Sequence, residues 1–99
     1  MKDETFVPEP GAERVVLEGE YDIMRKAEVA ALFASVAPNV ASLTIDMHSV
    51  SYADSSLLNE LATLRKRLDG RRIRLTGVSP QLRRVLAMMA FERLFELDD

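Results

Sequence analysis

Asp54, Ser55 and Ser56 stand together inside "SVSYADSSLLNELATLRKRL", where a polar run gives way to leucines at helical spacing. Two adjacent hydroxyls at such a point have two chemical uses. A serine at a helix start accepts a hydrogen bond from one of the orphan backbone donors, contributing on the order of 1 kcal/mol. A serine at the same place can also carry a phosphate, because a helix N-terminus favours negative charge and the modification need not unfold the domain. Asp54 suits the positive end of the helix dipole in either case. Local physics supports both readings and does not choose between them.

Other reactive chemistry finds little support. His48 is the single histidine, near Asp46 and Ser49 in sequence, but closeness along the chain does not build a triad. The hydrolase pattern Gly-x-Ser-x-Gly is missing, as is any glycine-rich phosphate cradle. The absence of cysteine removes thiol catalysis, disulfides and thiolate zinc sites, and no histidine-carboxylate spacing suggests a metal. The expectation is a protein without catalytic residues, metal or cofactor. Met88, Met89 and Phe91 are expected to pack in the core or at a helix end, any exposed remainder forming a partner surface.

The serine pair must be held by the elements around it. "SLTIDM" alternates as a strand, with Leu43, Ile45 and Met47 on one face, and Leu57, Leu58, Leu61, Leu64 and Leu68 mark the buried stripe of the helix that follows Ser55. Asp69-Gly70 ends that helix. Upstream, "RVVLEGEYD" reads as a strand interrupted by Gly19, and "RKAEVAALFASV" as a helix burying Val29, Leu32, Phe33 and Val36 until Pro38-Asn39 stops it. Downstream, "RIRLTGV" is a strand with Ile73 and Leu75 inward. Ser79 then caps a helix with Pro80 at its first position, burying Val85, Leu86, Met89 and Leu82, and "RLFEL" closes the sheet. Residues 1–14, with Pro8 and Pro10 removing backbone donors, are expected to form an edge strand or a loose arm. Alternating strands and helices predict a single α/β domain over residues 1–99, with a mixed, mostly parallel sheet of four to five strands flanked by helices. The N-terminal segment is the place for an antiparallel partner.

Length and charge are consistent with this plan. Ninety-nine residues suffice for one modest core. No run reaches the roughly 18 apolar residues of a spanning helix, and the acidic start "MKDETF" lacks the basic region of a signal peptide, so a cytosolic setting without membrane insertion is expected. Residues 1–60 hold 11 acidic and 4 basic side chains, whereas residues 61–99 hold 5 and 9. The basic run "RKRLDGRRIR" alternates with core-forming residues and includes cations that offset a helix C-terminus, which reads as a solvated face rather than a nucleic-acid surface.

"LTIDMHSVSYADSSLLNEL" resembles the signature of the anti-sigma-factor antagonist type of STAS domain, in which a strand ending in Asp leads through a loop to Asp-Ser-Ser and a helix. "VVLEGEYDIMRKAEVAALF" and "RIRLTGVSPQLRRVLAMMAFERLFEL" resemble the family's first strand, Gly-Glu-x-Asp turn and helix, and its C-terminal third, so the likeness spans residues 15–97. The resemblance implies that Ser55 is a phosphoryl acceptor, with Asp22, Asp54, Ser56, Leu57 and Asn59 forming its neighbourhood and the partner surface. It implies a bacterial regulator of transcription that binds a kinase-type anti-sigma factor when Ser55 is unphosphorylated and is reset by a phosphoserine phosphatase, leaving self-association open. The alternative it implies is a constitutive interaction subunit of a lipid-transport ATPase complex or a signalling assembly. Two departures stand out: Leu57-Leu58-Asn59 replaces the family's common Gly-Leu-Gly, and Ala90 replaces a frequent glycine before the last strand.

Overall fold

The computed structural model describes residues 11–98. Strand β1 (Ala12–Tyr21) leads through a 3-10 turn (Ile23–Arg25) into helix α1 (Lys26–Ala34), followed by β2 (Ser42–Ala53), α2 (Ser55–Arg67), β3 (Arg72–Thr76), α3 (Pro80–Met88), a second 3-10 turn (Phe91–Arg93) and β4 (Glu96–Asp98). The strands lie in the order β1-β2-β3-β4, and all three pairings are parallel. The antiparallel partner expected before β1 falls on residues 1–10, outside the described residues; Ala12 to Arg14 open β1, the edge among the described strands.

Every connection steps one strand in the same direction, so right-handed crossovers bring the three helices to the same face of the sheet. That face is apolar: Val15 and Leu17, Leu43, Ile45 and Met47, and Ile73 and Leu75 join the helices' inward side chains in a single core. No described element covers the other face. Its rows, read from the register, are Arg14, Thr44, Arg74 and Glu96, then Val16, Asp46, Thr76 and Asp98. Ion pairs bind them, with Arg72 to Glu96 at 2.9 Å, Arg74 within 3.9 Å of Glu96 and Asp98, and Arg14 to Asp46. A parallel sheet normally hides both faces in apolar cover; here period-two alternation supplies a charged outer layer instead.

The leucine stripe of α2 is buried as expected from Leu57 to Leu68. The stripes of its neighbours are narrower than their periodicity suggests. In α1, Val29 and Phe33 are buried while Leu32 is exposed; in α3, Leu82 and Leu86 are buried while Val85, Met88 and Met89 face outward. Two inward residues four apart make a seam, which suffices for a short helix lying on the rim of a core. Met88, at 85% exposure, therefore corrects the expectation that both methionines pack inside. Phe91 does pack against the core, and its ring lies 6.0 Å from that of the buried Phe95.

Ala90 ends α3 in the left-handed region, at φ 59° and ψ 21°, the single non-glycine residue of positive φ among those described. A Cβ there costs about 1–2 kcal/mol, part of which glycine returns through its larger unfolded-state entropy. Ala90→Gly is expected to raise stability by about 0.5–1 kcal/mol, read as a higher urea midpoint at unchanged slope. A lower midpoint would show that the Ala90 methyl is held by contacts worth more than the strain.

Candidate functional site

The C-terminal ends of β1 and β2 meet at the rim of the sheet, and each is followed by an aspartate and a helical turn. Asp22 and Asp54 adopt nearly the same extended backbone, with φ −120° and −119°. The Asp54 N–H donates to the Tyr21 carbonyl at 3.2 Å, which sets the two acidic residues side by side. Each carboxylate caps its own turn: Asp22 accepts from Met24 N at 2.9 Å and Asp54 from Ser56 N at 2.8 Å.

The cap of α2 is thus Asp54, and neither serine fills that role. The physical reason is where β2 ends. Pairing with β1 runs to Ala53, so the first residue free to take the extended cap conformation is Asp54, and Ser55 and Ser56 become the first two helical residues. Ser55 is exposed and Ser56 is buried. Asp54→Ala should cost about 1 kcal/mol, with Asp54→Asn retaining most of the stability and Ser56→Ala leaving the cap intact. Equal losses for Asp54→Ala and Asp54→Asn in thermal melts would show that the carboxylate's charge, rather than its capping geometry, matters.

Leu57, expected at the partner surface, is 1% exposed and belongs to the core, as does Leu58. Of the two residues that stand where the family commonly has glycine, Leu57 points inward and leaves Ser55 open, and Asn59 is exposed beyond it. Ile23 and Met24, at 64% and 86% exposure, follow Asp22, and Tyr52, at 52%, precedes the Ala53-Asp54 exit. These apolar side chains on an acidic rim escaped the sequence reading. The available signal was an apolar pair in a turn directly after a strand.

Arg25 braces the β1 end. Its guanidinium lies 4.0 Å from the centroid of the Tyr21 ring, donates to the Glu18 and Glu20 carbonyls at 2.7 and 3.1 Å, and pairs with Glu28 at 2.7 Å. That hydrogen bond holds the Glu28 carboxyl below its ordinary range. The carbonyls flank Gly19, where φ is +85° and β2 carries extra residues relative to β1. Two such register shifts, between Val16 and Glu18 and between Gly19 and Glu20, let β2 continue through "HSVSYA", a segment that reads as loop because the alternation is broken. Lys26 pairs with Glu60 at 2.5 Å. Arg25 and Lys26, at the start of α1, are thus both already engaged.

His48 lies on β2, its Nδ1 2.7 Å from an Asp46 oxygen. The His48 backbone N–H, then its ring, and then Arg14 hold the Asp46 carboxyl below its ordinary range. This is an exposed ion-pair cluster that engages neither Ser49 nor Ser55. Among the described residues no group of histidine and carboxylate side chains is arranged to hold a metal, and no helix is long and apolar enough to cross a membrane.

The sequence pattern of one family, described as Mlab, STAS domain, matches residues 5–96. A STAS-domain containing protein of Pseudomonas aeruginosa is 29% identical over 84% of each chain. Among solved structures, a sulfate transporter family protein from Wolinella succinogenes superposes with a TM-score of 0.79 at 17% identity, covering 100% of this chain and 84% of that one. The SulP transporter STAS domain from Vibrio cholerae gives 0.73 at 12% identity, over 94% and 77%. The unphosphorylated anti-sigma factor antagonist SpoIIAA gives 0.62 at 21% identity, over 82% and 86%. At these identities the structural likenesses establish the fold.

Proposed function

Because the chain belongs to the STAS family, we propose that it is a non-enzymatic cytoplasmic regulator, an anti-sigma-factor antagonist that switches partners through the charge state of Ser55. The observation that supports this reading most is an exposed serine at the first position of α2, beside two capping carboxylates, on a rim that also presents Ile23, Met24 and Tyr52. A neutral hydroxyl there is compatible with an apolar partner surface. Phosphorylation adds about −1.5 to −2 charges at pH 7. The Ser56 N–H already serves Asp54, and the Leu57 N–H the Asp54 carbonyl at 3.1 Å, so the new oxygens compete for donors in use and face like charge. A partner fitted to the hydroxyl would have to bury or oppose a dianion. Its partners would be a kinase-type anti-sigma factor and a phosphoserine phosphatase.

A second reading is a constitutive STAS subunit of a lipid-transport ATPase complex or a signalling assembly, for which membership of the STAS family serves equally well. A titration against the cognate anti-sigma factor, paired with phosphosite mapping, separates the two. Ser55→Ala is expected to bind like wild type and refuse phosphate; Ser55→Asp is expected to bind at least about tenfold more weakly, ~1.4 kcal/mol, with its melting temperature kept. Phosphate on Ser56, or equal affinity before and after phosphorylation, would leave the constitutive subunit as the better account.

A further inference from the structure

Beyond Asp46, β2 is paired on one side. Its last partner in β3 is Thr76, opposite Asp46, whereas its pairing with β1 runs on to Ala53. From Met47 to Ala53 the edge toward β3 therefore has no neighbouring strand among the described residues. The chain leaves β3 at Gly77, passes close over His48 and reaches α3. The first half of α3 stands off from the free edge, leaving a groove of about 410 Å³ with Val50, Ser51 and Tyr52 on the strand side and Pro80, Arg84 and Val85 on the helix side. A strand edge facing a helix across a groove is the geometry in which an extended peptide is taken up as an added strand.

We propose that this groove binds an extended segment of another protein by strand addition to β2, the segment carrying a carboxylate that reaches Arg84. Three observations converge. A one-sided strand presents backbone donors and acceptors in a row; the His48 N–H already serves Asp46, and beyond it "SVSYA" carries neither proline nor lysine to block pairing. Tyr52 and Val85, both exposed, offer apolar walls to alternate side chains of an incoming strand. Arg84 is the groove's one charged residue, and its guanidinium makes no hydrogen bond or ion pair with any other described residue. The first turn of α3 holds no acid, so its positive end adds to the preference for a carboxylate. A second copy of this chain fits poorly, because two-fold pairing of β2 edges would bring one Arg84 toward another without a carboxylate in either groove. The inference does not depend on Ser55 being modified.

The test is selection of a display library of random linear peptides against the whole protein, followed by synthesis of the enriched sequences. Enriched peptides should alternate apolar residues and include Asp or Glu. On binding, they should slow amide exchange within Met47–Ala53. Arg84→Glu, on an exposed position that leaves the melt unchanged, should weaken binding by about tenfold or more, and a peptide with Lys in place of its acid should recover affinity for that variant. Methylating alternate peptide amides should abolish binding, as strand pairing requires. No enrichment over a blank surface, affinity indifferent to Arg84→Glu, protection confined to other elements, or a dimer that protects the β2 edge without peptide would each overturn the proposal.

Discussion

Leu61→Ala is expected to cost about 2–5 kcal/mol, a large fraction of the roughly 5–15 kcal/mol that holds a domain of this kind together. Leu61 is 0% exposed at the middle of α2, with Leu57, Leu58, Leu64 and Leu68 along the same buried stripe. It is flanked by residues that cannot all collapse into the space it leaves: α2 is anchored at one end by the Asp54 cap and at the other by Arg65, which donates to the carbonyls of Leu68, Arg71 and Leu94 at 2.5, 2.6 and 3.0 Å. A helix pinned at both ends relaxes little, so the cavity persists and the cost should fall in the upper part of the range. Leu32→Ala provides the contrast, since that side chain has the same chemistry and helical spacing but is 37% exposed; its cost should stay below about 1 kcal/mol. Urea titrations with unchanged slope would report both. Similar losses for the two variants would mean that the core does not lie where the burial places it.

Gly77→Ala is the second large effect. Gly77 has φ +70°, and a Cβ there would lie 2.4 Å from His48 Cγ, 2.5 Å from Nδ1 and 2.6 Å from the His48 backbone nitrogen. The imidazole can swing away, but the nitrogen belongs to β2 and also donates to an Asp46 oxygen at 3.0 Å. Left-handed strain of about 1–2 kcal/mol adds to an overpacking cost of about 1–3 kcal/mol, for an expected loss of about 2–5 kcal/mol. The pair can be dissected. His48→Gly in the Gly77→Ala background removes the ring contacts and leaves the backbone one, so rescue should be partial, measured as a coupling energy in a double-mutant cycle. Full rescue would assign the whole effect to the imidazole; no rescue would assign it to the backbone.

What the sequence disclosed follows from where its patterns were clean. The four leucines of α2 with Leu68 at its C-cap, the alternation of Ile73 and Leu75, and the Ser79-Pro80 start, where Ser79 accepts from Leu82 N at 3.1 Å, each rest on one local rule with no competitor. At the serine corner the hydroxyls read as the caps and Asp54 as a helix-end charge; that Asp54 is the cap depends on how far β2 pairs with β1, a long-range fact. That extent was hidden because two bulges break the alternation after Met47. The outer stripes of α1 and α3 misled for a related reason: periodicity says which residues share a helix face, and only packing says how wide a strip of it is covered. The all-parallel pairing of the described strands was anticipated by the helical crossovers. The single-sided cover was not, although Arg72, Arg74 and Arg14 already marked one face of their strands as wet.

Among the described strands, order in the sheet is order in the chain, and this bears on how they assemble. Each strand is laid on an edge left by the one before, so none has to be threaded between two that have already joined, and the sheet can grow in step with synthesis, which proceeds from the N-terminus. Until the last segment arrives, β3 is the growing edge, and its sequence "RIRLT" places Arg72 and Arg74 on the wet face. Charge on an exposed edge discourages pairing with a stranger. When β4 docks, the same two arginines receive Glu96 and Asp98, so the guard of an unfinished sheet becomes the clasp of the finished one.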